Sequence, residues 1–130
     1  MRLVLDTNVV ISALVFGGEP RRVWESVVVR KSAIGVSSDL LIGELLGVLA
    51  EKFDFTPERL AQVRNIVETN FEMVAPRHIK AVIQDDPDDD VVLATALEGR
   101  ADMVISGDHH LLAVGQYQGI PIVPAADVKQ

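Results

Sequence analysis

Four acidic side chains stand beside apolar segments in widely separated parts of the sequence: Asp6, Glu44, Asp90 and Asp108. A carboxylate next to buried apolar residues needs a partner, because its desolvation is costly. No Lys or Arg lies between Ile83 and Glu98, so no basic neighbour along the chain can pair with Asp90. A hard divalent cation, Mg²⁺ or Mn²⁺, can be that partner, because it takes oxygen ligands. The four acids are therefore candidate ligands for one metal ion or two.

The chemistry of such a site would centre on water and phosphate. A bound divalent metal lowers the pKa of a coordinated water, orients it and stabilises charge on a phosphoryl oxygen. Asn8 can fix Asp6 or hold the attacking water, and Ser106 can orient an acid or contact phosphate. Both also have plain structural roles, at a helix start and at a strand end. For His109 and His110 we favour the structural role, because consecutive side chains on a helix do not share a face.

Glu44 is marked by its neighbours Gly43 and Gly47, which lie inside the same predicted helix. Each glycine there costs about 1 kcal/mol relative to alanine. Close approach of another backbone, or room for a ligand beside Glu44, would explain both glycines. A solvated glutamate on an amphipathic helix is the alternative.

The run "DDPDDD" before the helical pattern "VVLATAL" divides into two parts. Asp86 suits a helix cap and Pro87 the first helical position, so Asp88 and Asp89 fall in the first turn. Acids there gain about 0.3–1 kcal/mol each from the helix dipole. Asp90 leads directly into a segment that is apolar on nearly every side, and a metal partner is the better explanation for it.

Short apolar runs alternate with helical patterns along the chain. Strands are predicted at residues 2–6, 33–37, 71–75, 102–106 and 120–123. Helices are predicted at residues 8–16, 20–31, 39–53, 57–70, 87–98 and 109–114, and residues 77–84 are ambiguous. The alternation predicts a three-layer α/β/α sandwich with a central, mainly parallel sheet of about five strands. Asp6 closes the first strand and Asp108 follows the fourth after one glycine, so both should lie at the sheet edge where such folds form ligand sites.

Length and composition favour one compact domain over residues 1–130, since 48% of the 130 residues are hydrophobic. The absence of cysteine excludes disulfides and thiolate zinc sites. Without an apolar run of about eighteen residues or a signal-peptide pattern, an unprocessed cytoplasmic protein is expected. The net charge of -7 argues against a general affinity for nucleic acid. It does not exclude an enzyme whose carboxylates are neutralised by metal ions.

Four features in order resemble the PIN-domain ribonucleases, in particular the VapC-like toxins of toxin–antitoxin pairs. They are "LDTNVVISAL", Glu44 in the helix after the second strand, "DDDVVLATAL" and "VISGDHHLL". Their order and spacing match over essentially the whole chain. The resemblance implies a PIN-like fold that cleaves RNA with Mg²⁺ or Mn²⁺. A metal-activated water would hydrolyse the phosphodiester, without a covalent intermediate on the protein.

The resemblance also implies roles for individual residues. Asp6 and Asp90 look like the principal metal ligands. Glu44 and Asp108 look like the remaining acids, one of them often acting through water. Ser106 occupies the place where the family usually has a Thr or Ser.

One assignment stays open within the acidic run. Asp88 or Asp89 can substitute for Asp90 as the metal ligand. We favour Asp90 because Leu93 and Ala94 follow it at the spacing typical of the family helix.

The same resemblance implies partners. RNA would be steered by the densest basic group of the chain, although for any single member we favour ordinary helix-surface charge: Arg21, Arg22, Arg30 and Lys31. A small antitoxin protein would cover the site. The stretches "LLIGELLGVL" and "RRVWESVVV" offer apolar surface for that protein, or for a homodimer or higher oligomer, with core packing as the alternative.

Three other functions fit less well. A haloacid-dehalogenase-like phosphatase needs a second aspartate two residues after the first, where this chain has Asn8. A receiver-type phosphoacceptor needs an adjacent acidic pair, which Asp6 lacks. A non-catalytic PIN-like scaffold that binds RNA or protein would have lost one or more acids, and all of them are present.

Overall fold

The computed structural model describes residues 1–77, 79 and 87–129. Its strands are β1 (Arg2–Leu5), β2 (Ile34–Ser37), β3 (Phe71–Met73), β4 (Met103–Ile105), β5 (Gln116–Tyr117) and β6 (Ile120–Val123). Its helices are α1 (Thr7–Val15), α2 (Gly18–Val28), α3 (Asp39–Phe53), α4 (Pro57–Asn70), α5 (Pro87–Glu98) and α6 (His109–Val114), followed by a 3-10 turn (Ala125–Asp127). The predicted cap Asp86 and most of residues 77–84 lie outside the described part. No described helix is long and apolar enough to cross a membrane.

The sheet has the strand order β3-β2-β1-β4-β6-β5, and every neighbouring pair except β5 and β6 is parallel. β1 lies between two layers of helices, so its side chains are buried on both faces. Leu3 and Leu5 pack into the core formed with α1 to α4, whereas Val4 packs into the core that includes α5 and α6. The predicted α/β/α sandwich with a mainly parallel sheet is confirmed.

A sixth strand, β5, was not predicted from the sequence. It pairs Gln116 and Tyr117 with β6 in a tight hairpin. Gln118 and Gly119 both have positive φ, 49° and 85°, as a two-residue hairpin of the primed type requires. The strand is too short to show an alternating pattern, and its turn has Gln where Asn or Asp is usual.

Helix α2 differs from its predicted bounds of 20–31 at both ends. It begins two residues earlier, at Gly18, because Gly17 with φ 93° provides the change of chain direction. It ends at Val28, and Lys31 adopts φ 56°, outside the helical region. The basic residues Arg30 and Lys31 therefore lie in the loop before β2 and not in the last helical turn.

The parallel strands end along one edge of the sheet. Leu5 at the end of β1 pairs with Ile105 at the end of β4. The pairing continues past the strands, because the Asp6 N–H donates to the Ile105 carbonyl at 2.9 Å. The Ser106 N–H likewise donates to the Val123 carbonyl at 3.0 Å. The residues that follow β1 and β4 therefore start from fixed backbone positions.

Candidate metal centre

Asp6 and Asp108 are linked at this edge through one buried hydroxyl. Ser106 Oγ donates a hydrogen bond to Asp6 Oδ2 at 2.8 Å. The same oxygen accepts one from the Asp108 N–H at 3.0 Å. Ser106 is fully buried and Asp6 is 3% exposed, so water hardly competes for these bonds. Ser106 therefore orients the Asp6 carboxylate and fixes the start of the turn that carries Asp108.

Asp108 caps helix α6 with its side chain. Its Oδ1 accepts from the N–H of His110 at 2.8 Å and from the N–H of Leu111 at 3.2 Å. The carboxylate stays partly accessible, with 22% of the side chain exposed. Because two backbone donors hold Oδ1, the direction of the carboxylate is set before any ligand binds.

Asp89, Asp108 and His110 form a compact group of metal-binding side chains. Within the described part of the chain, one ligand atom from each lies within 4.8 Å of the other two. Asp89 is buried and His110 is exposed. Carboxylate oxygens suit Mg²⁺ and Mn²⁺, and an imidazole nitrogen suits transition ions. This donor set fits a divalent metal.

The acids at the start of α5 point in different directions. Asp89 and Asp90 are each 5% exposed, but a helix turns by about 100° per residue. Asp89 supplies the ligand atom near Asp108, and Asp90 is not a member of that group of described residues. The side chain of Asp88, the other alternative, lies outside the described part. Asp90 as a ligand stays a prediction, and Asp89 has the stronger geometric support.

Two members of the group, Asp89 and His110, are not the residues that the sequence favours as ligands. The sequence favours Asp90 over Asp89, and it favours a structural role for His110 because consecutive side chains on a helix diverge. Divergence does not prevent one of the two from reaching the site. The informative signal was Asp108 itself. The carboxylate of a capping residue accepts from the backbone N–H of the second helical residue, here His110, so it holds that residue close to the cap.

Glu44 lies on α3, partly buried, and is not a member of the acidic group among the described residues. Gly43 and Gly47 beside it are exposed. A Cβ added at either glycine would meet no described atom within 4 Å. Within the described chain, close approach of another backbone therefore does not explain the two glycines, and that prediction is wrong. Open space beside Glu44 is what the glycines provide.

A buried pair of hydroxyls joins helices α3 and α5, which carry Glu44 and Asp89. Ser38 Oγ lies 3.0 Å from Thr95 Oγ1, and both residues are fully buried. Ser38 caps α3, which carries Glu44, and Thr95 lies in α5 with Asp89. An unpaired buried hydroxyl is costly, so this bond opposes sliding of α3 against α5.

Asn8, the other predicted supporting residue, is exposed in the first turn of α1.

The family model described as "PIN domain" matches residues 2–110, a span that includes every acid described above. The chain belongs to the PIN domain family. PIN domains are generally nucleases. No curated protein shows significant sequence similarity to this PIN domain.

Solved structures with the same fold cover nearly all of this PIN domain. VapBC2 from Rickettsia felis, bound to a DNA fragment from its promoter, is 14% identical with a TM-score of 0.65, over 94% of this chain and 97% of that chain. FitAcB from Neisseria gonorrhoeae is 16% identical with a TM-score of 0.58, over 97% and 99%. FitAB bound to an IR36 DNA fragment is 14% identical with a TM-score of 0.64, over 98% of each chain. At these identities the likeness concerns the fold.

Replacing the two exposed glycines should stabilise this PIN domain. We expect Gly43→Ala and Gly47→Ala each to raise the free energy of unfolding by about 0.5–1 kcal/mol, because alanine favours the helix and meets no neighbour. Urea denaturation measures the change. A loss of stability in either variant would show that the space is filled in the native protein. Reduced nuclease activity in a stabilised variant would show that the space serves a ligand.

Arg21 and Arg22, two of the predicted RNA-binding residues, are each bonded to a backbone carbonyl of another segment. Arg21 Nε donates to the Ala13 carbonyl at 2.9 Å, at the end of α1. Arg22 Nη2 donates to the Val128 carbonyl at 2.6 Å, far along the chain. These bonds give both guanidinium groups a structural role, and contact with RNA stays a prediction for them.

The other two basic residues lie at the opposite edge of the sheet from Asp6. Arg30 and Lys31 precede β2, so they are near the amino ends of the parallel strands. Lys31 Nζ donates to Asn70 Oδ1 at 2.5 Å, just before β3. Arg30 Nη2 donates to the Arg22 carbonyl at 2.7 Å. RNA steered by these residues would have to extend across the domain to reach the acids.

Proposed function

We propose that this PIN domain is a metal-dependent ribonuclease that hydrolyses RNA phosphodiesters, and that it is the toxin of a toxin–antitoxin pair. The observation that carries the proposal is the set of acids fixed at one sheet edge. Asp6 and Asp108 share the buried Ser106 hydroxyl, and Asp89 and His110 lie beside Asp108. This arrangement, in a family of nucleases, supports hydrolysis of a phosphodiester.

The residues that would hold Mg²⁺ or Mn²⁺ are Asp6, Asp108 and the acids of α5, either Asp90 or Asp89. Glu44 would complete the set, directly or through water. A bound ion of this kind supplies a nucleophilic water at neutral pH and stabilises charge on a phosphoryl oxygen.

The protein itself supplies orientation and charge. Ser106 and the capped turn at Asp108 hold their carboxylates in place, so little rearrangement is needed when substrate binds. Burial of Asp6 and Asp89 strengthens their interaction with a cation, because the local dielectric is low. No side chain forms a covalent bond to the substrate.

The toxin role is supported by the solved structures of the same fold. VapBC2 and FitAB are two-component complexes bound to DNA. We propose that a small antitoxin protein binds this PIN domain, that the domain forms a homodimer or higher oligomer, and that it acts in the cytoplasm. An open reading frame for a small protein beside the gene, whose product co-purifies and blocks cleavage, would support this role. If no such gene product blocks cleavage, the protein would be a stand-alone nuclease and not a toxin.

Metal dependence is the first test of the ribonuclease proposal. Purified protein should cleave RNA in Mn²⁺ or Mg²⁺, should be inactive in EDTA, and should leave matched DNA largely intact. Metal should also raise the melting temperature. A ligand that binds only the native state at 100 times its Kd adds about 2.7 kcal/mol of stability. Cleavage that persists in EDTA contradicts the proposal, and the absence of both cleavage and a thermal shift in millimolar metal would favour a non-catalytic scaffold.

A further inference from the structure

His110 brings a nitrogen donor to a site whose other candidate ligands are carboxylates. It is the second residue of α6, and its Nδ1 lies 3.6 Å from Asp108 Oδ1. Its own backbone N–H is bound to that same oxygen at 2.8 Å, so the residue is fixed relative to Asp108. Only the side-chain torsions of His110 remain free to adjust.

We infer that His110 is a nitrogen ligand to the metal, together with Asp89 and Asp108, and that it makes this site prefer Mn²⁺ and similar transition ions over Mg²⁺. The inference rests on the metal dependence in the proposed function, and goes beyond it by naming the ligand and the resulting ion preference.

The spacing of the donor atoms agrees with a shared ion. In an octahedral site with bonds of about 2.1 Å, adjacent ligands lie about 3 Å apart and opposite ligands about 4.2 Å apart. The separation of 3.6 Å between His110 Nδ1 and Asp108 Oδ1 falls between these values. The ligand atoms of Asp89, Asp108 and His110 all lie within 4.8 Å of one another, so only a small movement of the side chains is needed for them to share an ion. An exposed imidazole can make that adjustment by rotating about its own bonds.

The donor types determine which ion gains from His110. Mg²⁺ takes oxygen ligands and keeps several waters, so an imidazole adds little to its binding. First-row transition ions bind an imidazole nitrogen more strongly than Mg²⁺ does, and Mn²⁺ gains the least among them. A site with Asp89, Asp108 and His110 should therefore discriminate between Mn²⁺ and Mg²⁺, whereas the two carboxylates alone would do so weakly.

His109 provides a matched control. It is the adjacent histidine on the same helix, it is also exposed, and its ring centroid lies 5.8 Å from that of His110. It is not a member of the metal-binding group within the described residues. Replacing it changes composition and charge in the same way as replacing His110, without removing the donor.

The test compares the wild type, His110→Ala and His109→Ala by calorimetric titration with Mn²⁺ and with Mg²⁺. Loss of a hydrogen bond to a metal ligand alone commonly weakens metal binding 10–100-fold, so His110→Ala should weaken Mn²⁺ binding by at least about 10-fold. Mg²⁺ binding should change little, and His109→Ala should match the wild type for both ions. Pulsed EPR of bound Mn²⁺ should show a histidine nitrogen in the wild type and in His109→Ala, but not in His110→Ala.

Four results would overturn the inference. Unchanged Mn²⁺ affinity in His110→Ala, with circular dichroism showing a folded variant, would exclude the ligand role. A nitrogen signal that persists in His110→Ala would place the donor elsewhere. A wild type that binds Mn²⁺ and cleaves RNA but shows no nitrogen signal would remove this inference and leave the proposed function intact. If the wild type binds neither ion, both fail together.

Discussion

Asp6→Asn should reduce Mn²⁺-dependent RNA cleavage at least about 100-fold, because even the loss of a group that supports a metal ligand commonly costs 10–100-fold in metal affinity or activity. The substitution keeps the size of the side chain and an oxygen that can accept from Ser106 Oγ, the donor of the 2.8 Å bond. It removes one negative charge from a buried acidic edge. The metal-free variant should therefore be at least as stable as the wild type, since repulsion among the acids is reduced.

The measurement pairs cleavage rates with thermal melts recorded in EDTA. Asp54→Asn is a suitable control, because it changes the net charge equally and lies exposed at the C-terminal end of α3. Its left-handed backbone, with φ 55°, is one that asparagine tolerates well. The control should retain cleavage. Full activity in Asp6→Asn would remove Asp6 from the metal site, and a lower melting temperature without metal would show that its charge stabilises the fold.

The second large effect is expected from a pair of variants, Asp89→Asn and Asp90→Asn. Both residues are acids of α5 with the same 5% exposure, so each variant serves as the control for the other. Asp89 shares the group with Asp108 and His110, and we expect its replacement to reduce both Mn²⁺ affinity and cleavage at least about 100-fold. Metal titration and cleavage of one RNA substrate measure both quantities.

The outcome for Asp90→Asn decides between two arrangements of the site. A comparable loss in both variants would mean that α5 contributes two carboxylates, as a site for two ions would need. Loss confined to Asp89→Asn would mean that the charge of Asp90 is not needed for metal binding or cleavage. Wild-type behaviour of Asp89→Asn, with a large loss in Asp90→Asn, would contradict the geometric argument and return the ligand role to Asp90.

The position of Asp6 and Asp108 at one edge of the sheet could be predicted from the sequence, because it depends only on the direction of the strands. A strand that ends at an acid places that acid at the carboxyl edge whatever the details of packing. The choice between Asp89 and Asp90 could not follow in the same way. The two differ by about 100° around the helix axis, so the assignment depends on the position of α5 against the sheet.

The roles of Arg21 and Arg22 were hidden from the sequence for a different reason. The acceptors that join them to other segments are backbone carbonyls, which every residue has, and one of these lies 106 residues away from Arg22. A basic cluster on a helix therefore gives no sign of whether its charges face solvent or fasten another segment. The ligand role proposed for His110 could not be predicted, because it depends on a side-chain rotamer at a helix cap, which residue spacing does not determine.

The bond between Ser106 and Asp6 joins residues that are 100 positions apart. The ribosome must therefore translate the chain through β4 before the two parts of the acidic edge can meet, because β4 has to emerge and dock beside β1. In a nascent chain, the acidic edge stays incomplete until β4 has left the ribosome. The metal-dependent cleavage proposed above would therefore begin only after that point.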